Sequence, residues 1–394
     1  MPRSEPHSIL PYGRQCITQE DIDAVVQILH SPYLTQGPSV PSFELAVSAR
    51  VDSRYAVAVN SATSALHIAC LALGLAPGDW LWTTPITFVA SANCGHYCGA
   101  FVDFVDIDPK SGLMCVSALK DKLQEADRIG VLPKVVVPVH LGGSSCDMSE
   151  ISKLSQYYGF AILEDASHAI GGSYYCQPVG SCLHSSITVF SFHPVKIITT
   201  GEGGIATTND PVLARIMQDL RNHGIVRESN RFLYPPDGPW SYEMQQLGFN
   251  YRMTDLQAAL GISQLQRLND IIKERNFLLD RYNELLSDLP FKLLAVPNNV
   301  LTAAHLAVVQ LPENQQHYHR KVFEGLRKSG IGIQLHYSPV HLQPFYRRLG
   351  FSYGDYPVAE AYSKVSFSLP LFPGLTFQDQ LRVVDELAIQ ASIF

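Results

Sequence analysis

Short apolar runs alternate with amphipathic segments along the chain from about residue 55. Two of the intervening segments, SATSALHIACLALGL and MSEISKLSQYYG, have apolar residues three and four positions apart, which is typical of helices. Another helix is predicted to start near Phe88. The apolar runs have the length of buried strands: YAVAVN, DWLWTT, AFVDFVDI, PKVVVPVHL and FAILEDAS. This alternation predicts a mostly parallel sheet covered by helices on both faces.

The pattern changes near residue 254. The segment TDLQAALGISQLQRLNDIIKERNFLLDRYNELL keeps helical periodicity for about 30 residues, so we expect this long helix to bend or to link two lobes. Shorter elements follow as far as residue 394. We therefore predict an α/β protein with a large domain over residues 1–265, including an N-terminal arm, and a smaller C-terminal α+β domain over residues 266–394.

Composition narrows the class of protein. The chain has 394 residues, of which 46% are apolar and 16% charged, and this is enough to build a sizeable core. A net charge of −7 gives no indication of a nucleic-acid or membrane partner. The N-terminus lacks the apolar core of a secretion signal, no run is long enough to span a bilayer, and the eight cysteines are scattered. These features predict a cytoplasmic protein with unpaired thiols. The 14 histidines show no H-E-x-x-H arrangement, and no metal site is predicted.

Two segments place polar groups where a strand ends. NSATSAL (60–66) follows a predicted strand and opens a helix, where free backbone N–H groups suit an anion; ordinary N-capping by Ser61 explains it equally well. LEDASHA (163–169) ends a strand with Glu164 and Asp165, at the position where open α/β sheets bind ligands. A carboxylate there could pair with a cationic ring nitrogen, but a solvated strand end is the plainer interpretation.

Two further segments carry isolated cations. In SFHPVKIITTGEGG (191–204), Lys196 is either an ordinary surface lysine or a lysine held for covalent chemistry on a carbonyl. The glycines after it are expected to let the backbone approach a flat ligand. In GFNYRMTDLQAALG (248–261), Asn250 and Arg252 precede a helix. An amide and a guanidinium suit phosphate recognition, and a polar loop capped by Thr254 is the alternative.

Taken together and in this order, the segments resemble the DegT/DnrJ/EryC1/StrS family of sugar aminotransferases, which are fold type I enzymes that use pyridoxal 5′-phosphate (PLP). The resemblance runs from about residue 10 to the end and is carried by YLTQGPSVPSFE, NSATSAL, TTPITFVASAN, EDASHAIGG, GFNYRMTDLQAALGISQL, HYSPVHLQPFY and SLPLFPGLT. It implies PLP as cofactor, a nucleotide-linked ketosugar and L-glutamate as substrates, and a homodimer with shared active sites.

The resemblance also implies roles for particular residues. Lys196 matches the lysine that holds PLP as a Schiff base, and Asp165 matches the acid that faces the pyridine nitrogen. Phe88 matches the aromatic that stacks on the ring, although a plain core phenylalanine is the alternative. The remaining matches are Ala62, Thr63 and Ser191 at the phosphate, His168 near the ring hydroxyl, Asn250 at the phosphate of the neighbouring subunit, and Arg252, His336 and Tyr337 on the nucleotide-sugar side.

Within the family, LTQG, NSATSAL, TTPITFVA, DASHA and FSFHPVKIITTGEGG most resemble enzymes of pseudaminic acid synthesis. This implies ping-pong transfer of an amino group from glutamate to C4 of a UDP-linked 4-keto-6-deoxy-N-acetylamino sugar. One alternative is another nucleotide ketosugar, in the UDP-bacillosamine or a dTDP-sugar branch. A PLP-dependent sugar dehydratase is less expected, because such enzymes replace the lysine with histidine and Lys196 occupies that position. A non-catalytic PLP-binding regulator is the third alternative.

Overall fold

The computed structural model describes residues 9–392. The α-helices are α1 (Gln19–Leu29), α2 (Ser39–Val51), α3 (Ala62–Ala72), α4 (Ala90–Tyr97), α5 (Val116–Ile129), α6 (Met148–Tyr158), α7 (Pro211–Arg221), α8 (Asp255–Gln266), α9 (Leu268–Leu285), α10 (His319–Lys328), α11 (Pro344–Arg347), α12 (Pro357–Ser363) and α13 (Phe377–Ala391). Short 3-10 helices lie at Leu141–Gly143, Ser229–Arg231, Glu313–Tyr318 and Val340–Leu342.

The strands form four sheets, of which the largest contains seven strands. They are β1 (Tyr55–Val59), β2 (Trp80–Thr83), β3 (Phe101–Phe104), β4 (Val135–Val137), β5 (Ala161–Asp165), β6 (Ser173–Tyr174), β7 (Gln177–Pro178), β8 (Ile187–Ser191), β9 (Gly204–Thr208), β10 (Ile225–Val226), β11 (Glu243–Met244), β12 (Lys292–Leu293), β13 (Val300–Leu301), β14 (Ala307–Gln310) and β15 (Ser366–Leu369).

The seven-stranded sheet has the order β1-β9-β8-β5-β4-β2-β3. Strands β3, β2, β4, β5 and β8 are parallel to one another, whereas β9 pairs antiparallel with both β8 and β1. A parallel return needs a crossover of a dozen or more residues, usually a helix, and the connection 192–203 contains no helix, so the chain comes back antiparallel. The predicted mostly parallel sheet is confirmed, and Lys196 lies in this connection.

Two strands of the sheet, β8 and β9, are not among the runs that the sequence pattern predicts. Strand β9 has the sequence GIATT, and its two threonines are buried although they are polar. Thr207 Oγ1 donates to the Gly180 carbonyl at 2.9 Å, and Thr208 Oγ1 donates to the Ser186 carbonyl at 2.7 Å. These hydrogen bonds remove the cost of burying hydroxyls, and hydrophobicity alone does not reveal them.

The long helical segment is divided into α8 and α9 at Arg267, as its length predicts. Helix α1 packs at this break. The fully buried Asp21 of α1 accepts hydrogen bonds from Ser263 Oγ, Gln264 Nε2 and Arg267 Nη2, each at 2.6 Å. A buried carboxylate with this many donors fixes the angle at which the N-terminal segment enters the fold.

The C-terminal part contains the antiparallel sheet β12-β14-β15, whose buried side chains pack with those of α9, α10 and α13 in a core of their own. Residues 340–362 instead pack on the core of the large sheet. Tyr356 Oη donates to Asp103 Oδ1 at 2.5 Å, and the Val358 and Ala359 amides donate to the Asp106 carboxylate at 3.0 and 2.9 Å. The domain boundary between residues 265 and 266 stays a prediction.

Two findings concern membrane helices and disulfides. Over residues 9–392, no helix combines the length and the apolar composition that a membrane crossing requires. All eight cysteines are free thiols, which confirms the prediction of unpaired cysteines.

Candidate active site

A cavity of about 520 Å³ opens where β5 and β8 end, beside the start of α3. It is formed by segments that are far apart in the sequence, including the connection 192–203 and the segment 334–337. The structure brings nine of the eleven predicted site residues to its lining: Ala62, Thr63, Phe88, Asp165, His168, Ser191, Lys196, His336 and Tyr337.

Lys196 extends into this cavity from a turn that is closed by a 2.9 Å hydrogen bond from its own amide to the His193 carbonyl. Burial lowers the pKa of the Lys196 amine to about 8, and the nearby Asp165 charge opposes this shift. Because only the neutral amine is a nucleophile, a lower pKa makes this lysine competent to attack a carbonyl near neutral pH.

Asp165, at the end of β5, is held in one orientation by hydroxyl and amide donors. Its Oδ2 accepts from Ser91 Oγ at 2.6 Å, and its Oδ1 accepts from Ser167 Oγ at 2.5 Å and from the Ser167 amide at 3.1 Å. Thr87 Oγ1 lies 2.6 Å from Ser91 Oγ and extends the network. Neither serine is among the residues predicted from the sequence, and for Ser91 the available signal is its spacing from Thr87, one helical turn earlier.

Helix α3 begins at the cavity. The Ser61 Oγ accepts from the Ser64 amide at 3.1 Å, which confirms Ser61 as the N-cap. Ala62 and Thr63 are the first two residues of the helix, and their amides have no acceptor within it. Free amides and the positive end of the helix dipole make this position suitable for a phosphate.

Gly204 allows β9 to lie directly against the start of α3. A Cβ at this position would stand 2.4 Å from the Ala62 nitrogen and 2.5 Å from the Ser61 carbonyl carbon, which is impossible without moving the backbone. The expectation that the glycines after Lys196 make room for a flat ligand is therefore wrong for Gly204, because the space is occupied by the chain's own backbone. Its neighbour Gly203 does line the cavity.

Histidines and tyrosines form the wall of the cavity next to β4. His168 accepts from the Gly142 amide at its Nδ1 and lies 3.2 Å from Tyr337 Oη at its Nε2. Burial lowers the pKa of His168 well below its ordinary value, and Lys196 and His336 add to the shift. Burial likewise lowers the pKa of His336 to about 3. These imidazoles are neutral, so the wall adds no positive charge beside Lys196.

Two further residues of this wall were not predicted. His305 is buried with its ring centroid 4.5 Å from that of His168, and its Nδ1 has no hydrogen-bond partner among residues 9–392. Tyr12, from the N-terminal segment, packs against His336 with the ring centroids 5.3 Å apart and the ring planes tilted by 56°. A single histidine ahead of an apolar strand and a single tyrosine near the N-terminus carry no motif, so only long-range folding brings them to the site.

Phe88 is 59% exposed at the mouth of the cavity, with its ring centroid 6.5 Å from that of Tyr337. It is not a core phenylalanine, and its stacking role stays a prediction.

Asn250 and Arg252 lie outside this cavity. Asn250 is exposed and pairs through its backbone with Asn222. Arg252 Nη1 donates to Asn222 Oδ1 at 2.7 Å and lines a separate surface cleft of about 320 Å³ together with Arg227. Within one chain they do not meet Lys196. A contact of Asn250 with the cofactor therefore requires a second subunit, as the sequence analysis expects.

The cavity matches one cofactor in particular. Three groups of the cavity suit three groups of one flat molecule, PLP. The lysine suits its carbonyl, the carboxylate fixed by three donors suits its pyridine nitrogen, and the helix start with free amides suits its phosphate. Gly204 lets the helix start come close to the strand ends, which places the amides beside the other two groups. These residues fit PLP, and the fold and the site together define a PLP-dependent enzyme.

Comparison with known proteins gives the family. Residues 15–388 match the model of the DegT/DnrJ/EryC1/StrS aminotransferase family, and the chain belongs to this family. It is 38% identical to the spore coat polysaccharide biosynthesis protein SpsC of Bacillus subtilis, with 95% of each chain covered. It is 35% identical to the UDP-4-amino-4,6-dideoxy-N-acetyl-beta-L-altrosamine transaminase of Campylobacter jejuni, with 96% of each chain covered.

Solved structures agree with this assignment. PseC of Helicobacter pylori, an aminotransferase of pseudaminic acid biosynthesis, superposes with a TM-score of 0.89 at 29% identity, covering 98% of this chain and 100% of the other. The PLP form of the sugar aminotransferase Spr1654 of Streptococcus pneumoniae gives a TM-score of 0.88 at 28% identity, covering 98% and 99%. Fold type I, the PLP cofactor and the sugar aminotransferase class are confirmed, whereas the role of each site residue stays a prediction.

The pKa of Lys196 leads to a test that needs no sugar. The rate at which PLP binds to the cofactor-free protein is expected to rise about tenfold per pH unit up to about pH 8 and then to level off. The reason is that the fraction of neutral amine saturates above the lowered pKa, whereas a lysine with the ordinary value of 10.5 would extend the rise by two units or more. Stopped-flow absorbance between about pH 6 and 9.5 measures the rate. A rise that continues unbroken to the upper limit would contradict the lowered pKa.

Proposed function

We propose that this protein transfers the amino group of L-glutamate to C4 of UDP-2-acetamido-2,6-dideoxy-L-arabino-hexos-4-ulose. The product would be UDP-4-amino-4,6-dideoxy-N-acetyl-β-L-altrosamine, a precursor of pseudaminic acid. The observation that carries this proposal is the 35% identity, over 96% of both chains, to the Campylobacter jejuni transaminase of that name. The superposition with PseC supports the same substrate.

A second candidate substrate has its own support. SpsC, which is named for spore coat polysaccharide biosynthesis, is 38% identical to the chain, slightly more than the Campylobacter transaminase. The second candidate is therefore a ketosugar of another branch, and the D-xylo epimer on the bacillosamine route and a dTDP-linked sugar without the acetamido group are the two to test. Both candidates use the same amino transfer chemistry. The dehydratase and the non-catalytic regulator are set aside, because the chain is an aminotransferase and has Lys196.

We assign the reaction steps to residues of this chain as follows. When bound, PLP supplies the carbonyl that takes up the amino group and the ring that stabilises negative charge next to it. Lys196 binds the cofactor, and its amine then carries the proton between Cα of the amino donor and C4′ of the cofactor. The Asp165 carboxylate, held by Ser91 and Ser167, keeps a proton on the pyridine nitrogen. The amides of Ala62 and Thr63 and the hydroxyl of Ser191 bind the phosphate.

The site is proposed to be completed by a second copy of the chain. Asn250 is exposed and lies outside the cavity of its own chain, which supports the proposal that it reaches the phosphate in the partner's cavity. Arg252 is likewise proposed to reach the partner's cavity and to contact the nucleotide-sugar substrate there. Its guanidinium contacts Asn222 and has no carboxylate partner among residues 9–392, and such a group is suited to a diphosphate. An obligate homodimer with two composite sites follows from these assignments.

The substrate is tested by comparing kcat/KM on a panel of 4-ketosugars, with L-glutamate as donor. We expect kcat/KM for the UDP-linked L-arabino sugar to exceed that for its D-xylo epimer and for the dTDP-linked sugar by about 100-fold or more. The epimer has the C6 methyl on the opposite face of the sugar ring, and the dTDP-linked sugar lacks the acetamido group, so the polar groups that bind it are left unpaired. The formation of 2-oxoglutarate provides an independent measure of turnover. Preference for the D-xylo or the dTDP sugar would assign the enzyme to another branch and leave the amino transfer intact.

A further inference from the structure

The two sides of the active-site cavity differ in chemistry, and the order of the sheet defines these sides. Along the sheet the strands follow as β9, β8, β5 and β4. Asp165 ends β5. On its β8 and β9 side lie Ser191 and, through Gly204, the start of α3. On its β4 side lie Gly142 and the His168 ring that this glycine's amide contacts. The helix start that suits a phosphate and the histidine wall are therefore on opposite sides of Asp165.

PLP has a fixed arrangement of groups that can be matched to these sides. Its aldehyde carbon lies opposite the ring nitrogen, with the phosphate arm on one neighbouring carbon and an oxygen on the other. When Asp165 and Lys196 define the axis of the ring and α3 receives the phosphate, the ring oxygen faces the wall that contains His168, Tyr337 and His305.

The hydrogen bonds of this wall have a defined direction. The Gly142 amide can only donate, so at 3.2 Å the His168 Nδ1 accepts and carries no proton. A neutral imidazole has one proton, and this proton is then on Nε2. Nε2 lies 3.2 Å from Tyr337 Oη and donates to it. Among residues 9–392 the Tyr337 hydroxyl has no other partner, and its own proton is free for an acceptor in the cavity.

His168 and Tyr337, the two side chains of this hydrogen-bond relay, are both neutral. Burial lowers the pKa of His168 and raises the pKa of Tyr337 well above its ordinary value. The charged and titratable groups that face the two rings are Lys196, Asp165, His305, His336, Tyr12 and Tyr362. Lys196 and His336 lower the pKa of His168, and Asp165 raises that of Tyr337, so these neighbours reinforce the neutral states.

The backbone behind the wall holds it rigidly. Ala304 has a φ of 48°, in the left-handed region that alanine seldom adopts. It is kept there by Arg275 Nη1, which donates to the Ala304 carbonyl at 3.3 Å, and by the His305 amide, which donates to the Gly142 carbonyl at 2.8 Å. Strain of this kind persists only where the surroundings fix it, and it clusters at functional sites. The His305 ring that follows lies with its centroid 4.5 Å from that of His168.

We propose that the Tyr337 hydroxyl donates a hydrogen bond to the ring oxygen of PLP, and that the Gly142 amide sets the direction of this bond through His168. Tyr337 is thus a cofactor-binding residue, whereas the family resemblance implies a place on the nucleotide-sugar side. His168, Gly142 and His305 act as positioning residues. The proposal rests on PLP alone and is independent of which sugar the enzyme uses.

The test measures the bound cofactor by absorbance, with no sugar present. In Tyr337→Phe the ring oxygen of PLP loses a hydrogen-bond donor and becomes more basic. The proton shared between this oxygen and the Lys196 nitrogen is therefore retained up to a higher pH. The midpoint of the pH titration of the cofactor's visible band is expected to rise by about one to two units, and the Kd for PLP to increase about tenfold. A Tyr337→Phe protein with the wild-type midpoint and Kd would overturn the proposal.

Three further variants test whether the hydrogen bonds run from Gly142 through His168 to Tyr337, and they distinguish this from a general disturbance of the site. Tyr362→Phe is the matched control, because its hydroxyl donates to the His336 carbonyl at 3.0 Å, and it should keep the wild-type midpoint. His168→Gln should also keep it, because an amide accepts from Gly142 and donates to Tyr337. His168→Leu should shift the midpoint as Tyr337→Phe does, with no further shift when the two are combined. If the midpoint shifts of His168→Leu and Tyr337→Phe add up in the double variant, the two residues act independently and the proposed relay is contradicted. Since no sugar is used, failure here would not affect the proposed substrate.

Discussion

Lys196→Ala is expected to lower kcat for amino transfer at least about a thousandfold while the fold persists, because both the covalent attachment of PLP and the proton transfer depend on this amine. Lys196 is the only lysine or arginine among the described residues that line the cavity, so no neighbour can replace it. Steady-state formation of 2-oxoglutarate measures the loss. Borohydride reduction followed by mass spectrometry should locate PLP on Lys196 in the wild type and give no such label in the variant.

Lys153→Ala is the matched control. Lys153 is an exposed lysine on α6, paired with Glu150 at 2.6 Å, and an exposed pair of this kind contributes little to stability. Its kcat should equal that of the wild type. Multiple turnover by Lys196→Ala at a rate close to the wild type, with circular dichroism confirming the fold, would rule out the covalent role of Lys196.

Mixing two inactive variants is expected to restore about a quarter of the wild-type activity per subunit, if each site combines Lys196 of one chain with Asn250 of the other. The variants are Lys196→Ala and Asn250→Asp; the latter keeps the shape of the side chain and places a negative charge against the phosphate. Random exchange makes half of the dimers mixed, and each mixed dimer has one intact site. Activity is measured before and after exchange under mild denaturation.

Differently tagged subunits report on the exchange itself, and each variant mixed with more of itself is the control for refolding. If tagged subunits exchange fully and no activity appears although each parent is inactive, Asn250 does not act across the interface. If Asn250→Asp alone retains wild-type activity, its contact with the phosphate is excluded.

The parts of the fold that the sequence predicts are those governed by local patterns. Short apolar runs mark the parallel strands and a periodicity of 3.6 residues marks their helices, and the excessive length of the segment after residue 254 predicts that this helix is interrupted, as it is at Arg267. Lys196 stands out as an isolated cation ahead of a glycine cluster and Asp165 as a carboxylate at the end of an apolar run, and both lie in segments of a recognisable family. These features depend on neighbours in the sequence, so a single chain is enough to find them.

The remaining features depend on contacts between distant segments. Strand β9 is polar in sequence, and the burial of its threonines becomes favourable only once the Gly180 and Ser186 carbonyls are in place. His305 reaches the cavity because Arg275 and Gly142 hold its backbone. Gly204 belongs to a glycine cluster that suggests ligand binding, whereas its requirement comes from the backbone of α3. No local pattern encodes such contacts.

The return of residues 340–362 onto the large sheet limits how this enzyme can move. A clamshell rotation between the N- and C-terminal parts would break the hydrogen bonds of Tyr356 to Asp103 and of the Val358 and Ala359 amides to Asp106. It would also separate Tyr346 Oη from Asn93, which it contacts at 2.7 Å. The N- and C-terminal parts are therefore joined by hydrogen bonds between their own side chains and backbone amides. Phe88 is exposed at the mouth of the active-site cavity, so its replacement is expected to leave the scaffold unchanged.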